Sequence, residues 1–203
     1  MTDALLAPLA TALDGTGQLV DAVTDEQWNL PTPCTDWTVR QLVDHLVGGS
    51  RLCTRVLRGE PLPTLDQLGR RGHEDQLGND PVAAYRTSSD ELLEALRTPG
   101  VLERAHTLPV GTLPGPAVVH VRTVETLVHG WDLARATSRQ MPFPDELADH
   151  ELTFSRDLLG HLPEGRQPFR PSRPVADDAP AIDRLAALLG RAPEQARSRR
   201  PSS

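Results

Sequence analysis

Apolar residues recur at intervals of three and four along most of this chain, which is the period of an α-helix with one buried face. Leu5, Leu9, Leu13 and Val20 share a face of the segment from Ala4 to Val23, which Gly15 and Gly17 weaken without forbidding. Val39, Leu42, Leu46, Cys53 and Val56 repeat the pattern from Thr38 to about Arg58, where Gly59 and Pro61 stop it. A third stripe runs through Val82, Tyr85, Leu92, Leu93 and Leu96, and a fourth through Val119, Val124, Leu127, Val128 and Leu133. Each stripe must be covered by another element, so four amphipathic helices before residue 140 predict an all-α bundle.

The punctuation agrees with the period. Thr38 with Gln41, and Thr24 with Gln27, have the spacing of capping boxes. Asp80 followed by Pro81 is a helix start, with Gly100 as the stop, and Pro116 opens the fourth helix. Between them, Arg104 to Pro114 carries two prolines and the turn Val110-Gly111, and reads as a small β-hairpin. Residues 59–79 have no period and read as a surface loop. Next come a further helix over about 145–162, a polar, proline-rich linker from Glu164 to Pro174 and a short helix from Ala181 to Leu189. The expected organisation is a bundle over 1–163, a linker and short helix packed on it over 164–190, and a disordered tail over 191–203.

A chain of 203 residues can bury a sufficient core without a disulfide or a structural metal, so a bound ion would serve binding or catalysis. The net charge is −7, lysine is absent, and the one basic run, Arg197 to Arg200, sits in the tail; this is no footprint for nucleic acid. No apolar run is long enough for a bilayer, and Asp3 without a basic n-region argues against a signal peptide. The expectation is a cytoplasmic protein with a small-molecule substrate, no membrane and no nucleic acid. Two cysteines, Cys34 and Cys53, make neither a thiolate zinc cluster nor a disulfide framework.

Glu125 and His129 are four residues apart in the fourth helix and therefore share a face. A carboxylate and an imidazole so placed can hold one ion, and two histidines with one glutamate are a known ligand set for catalytic zinc. His45, mid-helix beside Gly48 and Gly49, is the candidate third ligand. The pair alone is a weak signal, and on periodicity alone a buried or salt-bridged histidine accounts for it better.

The stretch Pro31-Thr-Pro-Cys-Thr-Asp-Trp-Thr-Val39, followed by Leu42-Val-Asp-His-Leu-Val-Gly-Gly49, resembles the N-terminal family of mycothiol-dependent maleylpyruvate isomerases. So do Glu125-Thr-Leu-Val-His-Gly-Trp-Asp-Leu-Ala134 and, near the end, Asp178-Ala-Pro and Leu188-Leu-Gly-Arg191, so that the likeness covers nearly the whole chain. It implies a DinB-like four-helix bundle with additional C-terminal helices, and a divalent metal held by His45, Glu125 and His129. It also implies a low-molecular-weight thiol such as mycothiol as cosubstrate. The family's founding enzyme has a separate C-terminal domain that completes its active site; too little chain follows the bundle here to form one, so the metal site carries over and the substrate does not.

Two arginines are candidate catalytic groups. Arg122 shares the face of Glu125 and either holds a substrate carboxylate or pairs with an acid. Arg86 follows Tyr85 in a region from which the founding enzyme draws an arginine; a solvated helix face is the alternative. Cys34 and Trp37 read as packing residues at the start of the second helix, Asp44 as a solvated charge, and Asp132 as either a hydrogen-bond partner of an imidazole or a local cap. Three functions stay open: a metal-dependent thiol transferase or isomerase, a metal-dependent hydrolase, and a non-enzymatic metal-binding bundle. Zinc is the preferred ion; nickel, iron and manganese also accept these ligands.

Overall fold

Six α-helices and one hairpin make up the described residues, 2–64, 75–161 and 169–193, of the computed structural model. In order they are α1 (Thr2–Asp21), a 3₁₀ turn (Asp25–Asn29), α2 (Val39–Leu57), α3 (Pro81–Arg97), β1 (Ala105–Leu108), β2 (Gly111–Pro114), α4 (Gly115–Ala136), α5 (Asp145–His161) and α6 (Ala181–Leu188). The starts obey local chemistry. The Gln41 N–H donates to Thr38 Oγ1 while Gln41 Oε1 accepts from the Thr38 N–H, which closes the box at α2. The Ala83 N–H donates to Asp80 at α3, with Pro81 at the first helical position.

The first four helices form a ring: α1 packs on α3 and α4, and α2 packs on α3 and α4. Their directions follow from two apolar layers. One joins Leu6, Leu9 and Leu13 of α1 to Val56 and Leu57 of α2, Leu92 and Leu96 of α3, and Val118 and Val119 of α4. The other joins Leu19 and Val20 to Leu42, Leu46, Tyr85 and Leu133. The early half of α1 therefore lies level with the late halves of α2 and α3 and the early half of α4. So α1 and α4 run one way, α2 and α3 the other, and the parallel pair α2 and α3 requires the long crossover between them. The end of that crossover is tied to α2: Asp44 accepts from the Gln76 N–H at 2.7 Å, and Arg40 pairs with Asp75 at 3.1 Å. Asp44 is thus a loop anchor rather than the solvated charge its sequence position suggested.

Between the layers lies a waist of buried polar side chains, among them Thr16, Ser50, Ser88, Arg122 and Thr126. There α1 and α4 approach closely, and Thr16 Oγ1 donates to the Thr126 carbonyl at 3.2 Å. Gly130 permits it, because a Cβ at that position would stand 2.6 Å from Thr16 Oγ1 and 2.5 Å from the Phe143 ring. The hairpin is present, with Leu108 paired to Gly111, so its turn residues are Pro109 and Val110, one position earlier than expected.

Contacts group the chain into two units, Met1–Phe143 and Pro144–Ser203. Helix α5 falls in the second, whereas the sequence reading carries the bundle to residue 163. Local bonds explain the grouping: Asp145 accepts from the Ala181 N–H at 2.7 Å, and Arg184 pairs with Asp149 at 2.9 Å, which ties α6 to α5. Arg191, expected to begin a disordered tail, donates from its N–H to the Ala186 carbonyl at the end of α6. The rest of the expected tail, 194–203, and His73 lie outside the described residues. Among the described residues no helix is long and apolar enough to cross a membrane.

Candidate metal centre

Helices α2 and α4 are neighbours in the ring, and the seam between them brings His45, Glu125 and His129 together. Glu125 Oε2 lies 3.4 Å from His45 Nε2 and 3.5 Å from His129 Nε2, and all three ligand atoms lie within 4.8 Å of one another. Two donors each bound at ~2.0–2.2 Å to one tetrahedral ion stand ~3.3–3.6 Å apart. The two separations from Glu125 match that range, and with the third ligand atom inside the same 4.8 Å cluster the trio could hold a single divalent ion. Among the described residues no fourth histidine, cysteine or acid joins the group. The His45 side chain is 39 % exposed and Glu125 21 %, against 5 % for His129, so the cluster opens outward on the α2 side.

Electrostatics hold the carboxylate ionised. Burial alone would raise the Glu125 carboxyl, but hydrogen bonds from His129 and His45 and their charge carry it well below its usual range. Burial lowers the His45 imidazole and outweighs the opposing Glu125 carboxylate; positive charge at His129 and Arg122 adds to the fall. Burial also works to lower His129, yet Asp132 and Glu125 prevail and its direction is upward.

Asp132, fully buried, stands 3.1 Å from His129 Nδ1. A carboxylate there takes the Nδ1–H, so that once an ion displaces the second ring proton, Nε2, the atom facing Glu125, would be the lone-pair donor. The His-x-x-Asp spacing made this role legible without deciding it. Trp37 was the residue whose part the sequence did not show. The loop before α2 is pinched by an antiparallel bridge between Pro31 and Thr38, and the Thr32 hydroxyl and N–H both donate to the Trp37 carbonyl. This sets the indole 4.5 Å from the His45 ring and 5.6 Å from the His129 ring, centroid to centroid. Trp37 therefore touches both imidazoles as well as seating the helix.

Arg122, one turn before Glu125, is 7 % exposed and reaches toward α2, where its Nη2 donates to Ser50 Oγ at 3.2 Å. It does not pair with Glu125. Arg86 lies at the seam of α1 and α3, across the ring from the trio, and its guanidinium is held by Asp21. The two cysteines are free thiols. Cys34 packs beside the apolar layer of α2, and burial pushes the Cys53 thiol up to about 11, against a small opposing effect of Arg122.

A sequence profile of the family described as "Mycothiol maleylpyruvate isomerase N-terminal domain" matches residues 9–134. The chain belongs to this family. The matched segment of this mycothiol maleylpyruvate isomerase N-terminal domain holds Trp37, His45, Arg122, Glu125, His129 and Asp132 together. Two uncharacterized proteins of Mycobacterium tuberculosis, Rv0738 (strain ATCC 25618 / H37Rv) and MT0763 (strain CDC 1551 / Oshkosh), are each 33 % identical to it over 183 residues, covering 89 % of this chain and 93 % of theirs. The fold is similar to that in the crystal structure of the mycothiol-dependent maleylpyruvate isomerase, with a TM-score of 0.56 at 14 % identity, over 66 % of this chain and 60 % of that one. A mutant of that enzyme gives 0.58 over the same shares. The match thus spans less than two thirds of the isomerase.

Proposed function

We propose that the protein is a divalent-metal-dependent thiol transferase or isomerase, with zinc held by His45, Glu125 and His129 and mycothiol or a similar small thiol as cosubstrate. The observation that carries this is the chelating spacing of the trio, 3.4 and 3.5 Å about one carboxylate oxygen, with no fourth protein ligand among the described residues. Family membership, and the likeness in fold to the mycothiol-dependent maleylpyruvate isomerase, support the thiol. Because the likeness spans only 60 % of that enzyme, its own substrate is not transferred to this chain.

A bound zinc supplies charge that favours the thiolate form of a thiol near neutral pH. The chain's part is to position and to shield. Asp132 fixes the tautomer of His129, Glu125 keeps its negative charge despite burial, and Trp37 packs its indole against both imidazoles. The cosubstrate sulfur forms a bond to an electrophilic carbon of the substrate. Either a leaving group departs with its electron pair, which is transfer, or the same sulfur is expelled again after bond rotation, which is isomerisation.

Elemental analysis of the zinc-loaded protein is expected to show stoichiometric metal, and calorimetry is expected to show mycothiol binding to the loaded chain alone. Absence of stoichiometric metal overturns the reading. Zinc binding without any thiol binding would turn it to hydrolysis at the same centre.

A further inference from the structure

Arg122 is a buried cation without a counter-ion among the described residues. Among the described residues no carboxylate stands within ion-pair distance of it, its Nε has no acceptor, and Nη2 donates only to the neutral Ser50 hydroxyl. Arginine cannot escape the cost by losing its proton, so a buried, unpaired guanidinium is strongly unfavourable. Glu125, the nearest acid along the helix face, is committed to the two imidazoles. A second buried polar atom close by in sequence terms, Thr54 Oγ1, one turn beyond Ser50 on α2, also has no partner.

The Arg122 guanidinium lies against α2 at a glycine: a Cβ at Gly49 would stand 2.9 Å from its Nη1, so a larger residue there would have to displace the fork from where it lies. Gly49 is one turn from His45, and Arg122 one turn from Glu125, so the guanidinium lies just beyond the trio along the same seam. The planar fork is shaped for two parallel hydrogen bonds to a carboxylate.

We infer that Arg122 is an anion subsite that takes the carboxylate of a small organic molecule. The inference deepens the proposed function by naming an acidic substrate class. Where that reading holds, the carboxylate sits about one helical turn, ~5 Å, from the atom that meets the ion. The subsite itself does not depend on the ion.

The test uses the metal-free full-length chain and acetate as the probe, with sodium chloride at matched ionic strength and acetamide as the neutral isostere. Acetate is expected to raise the unfolding temperature saturably by about 2–4 °C, and chloride and acetamide to have no such effect. Arg122→Met is expected to lose the response and to melt no lower than the wild type in acetate-free buffer, because it exchanges an unpaired buried charge for an apolar side chain. Arg122→Lys should keep only part of the response. A wild type indifferent to acetate, an equal effect of chloride or acetamide, or an undiminished response in Arg122→Met each overturns the subsite. If Arg122→Met does not fold, the wild-type difference between acetate and acetamide and its reduction in Arg122→Lys decide the matter. Zinc content is measured separately: an acetate response without zinc binding leaves the subsite and removes the metal reading, and zinc without an acetate response does the reverse.

Discussion

Which nitrogen His129 offers is decided by one oxygen of Asp132, 3.1 Å from Nδ1 in a fully buried position. Loss of such a partner typically weakens metal binding about 10–100-fold. Asp132→Asn is therefore expected to lower zinc affinity by that order in a competition titration against a chromogenic chelator; unchanged affinity would reduce Asp132 to packing. His45→Ala should abolish stoichiometric zinc while the far-ultraviolet circular dichroism stays helical. Protonation adds a pH dependence. Metal ligands must be deprotonated, and the metal-free His129 is shifted upward, so a proton competes with the ion there. Zinc uptake at neutral pH should release protons, and apparent affinity should fall as pH falls through the His129 value. Titration in buffers of differing ionisation enthalpy reads this directly, and identical heats in all of them would contradict it.

At the scale of elements, the α1–α4 seam is the sensitive place. Gly130 lies between His129 and Trp131 with Thr16 and Phe143 pressed against it. A methyl group there must push helix backbone or ring aside, and overpacking of this kind costs about 1–3 kcal/mol. Gly130→Ala is expected to destabilise the metal-free chain by that amount in urea, and a neutral result would mean that Phe143 swings away freely. Thr38→Ala removes the hydroxyl that caps α2 and should cost about 1 kcal/mol. These starts were legible because a cap is local: Thr38 with Gln41 and Asp80 with Pro81 each act within one turn. The hairpin was legible in kind but not in register, since the one-residue shift of its turn depends on which residues pair across the strands.

For the molecule as a whole, two apolar layers close around the waist with the candidate metal trio at one seam. The core is therefore expected to hold the fold without the ion. Chelation should lower the melting temperature through lost ligand linkage and leave the helical signal at 25 °C intact; unfolding on metal removal would make the site structural. Leu92, buried in one layer, gives the contrast: Leu92→Ala should cost about 2–5 kcal/mol with or without zinc.

The sequence by itself determined where the helices lie and that Glu125, His129 and Arg122 share one face of α4, because a 3.6-residue period sets those relations within a few turns of chain. It also carried the motifs by which the family is recognised. Only the tertiary structure decided that His45 meets Glu125 across 80 residues, that Trp37 lies over both imidazoles, and that Arg86 is spent on Asp21 across the ring. Only there does Arg122 turn out to have no acid beside it among the described residues. The physical reason is the same in each case. Helical phase is written in consecutive residues, but which two faces meet depends on how four helices share a core, and the crossover between α2 and α3 that fixes this order has no period of its own.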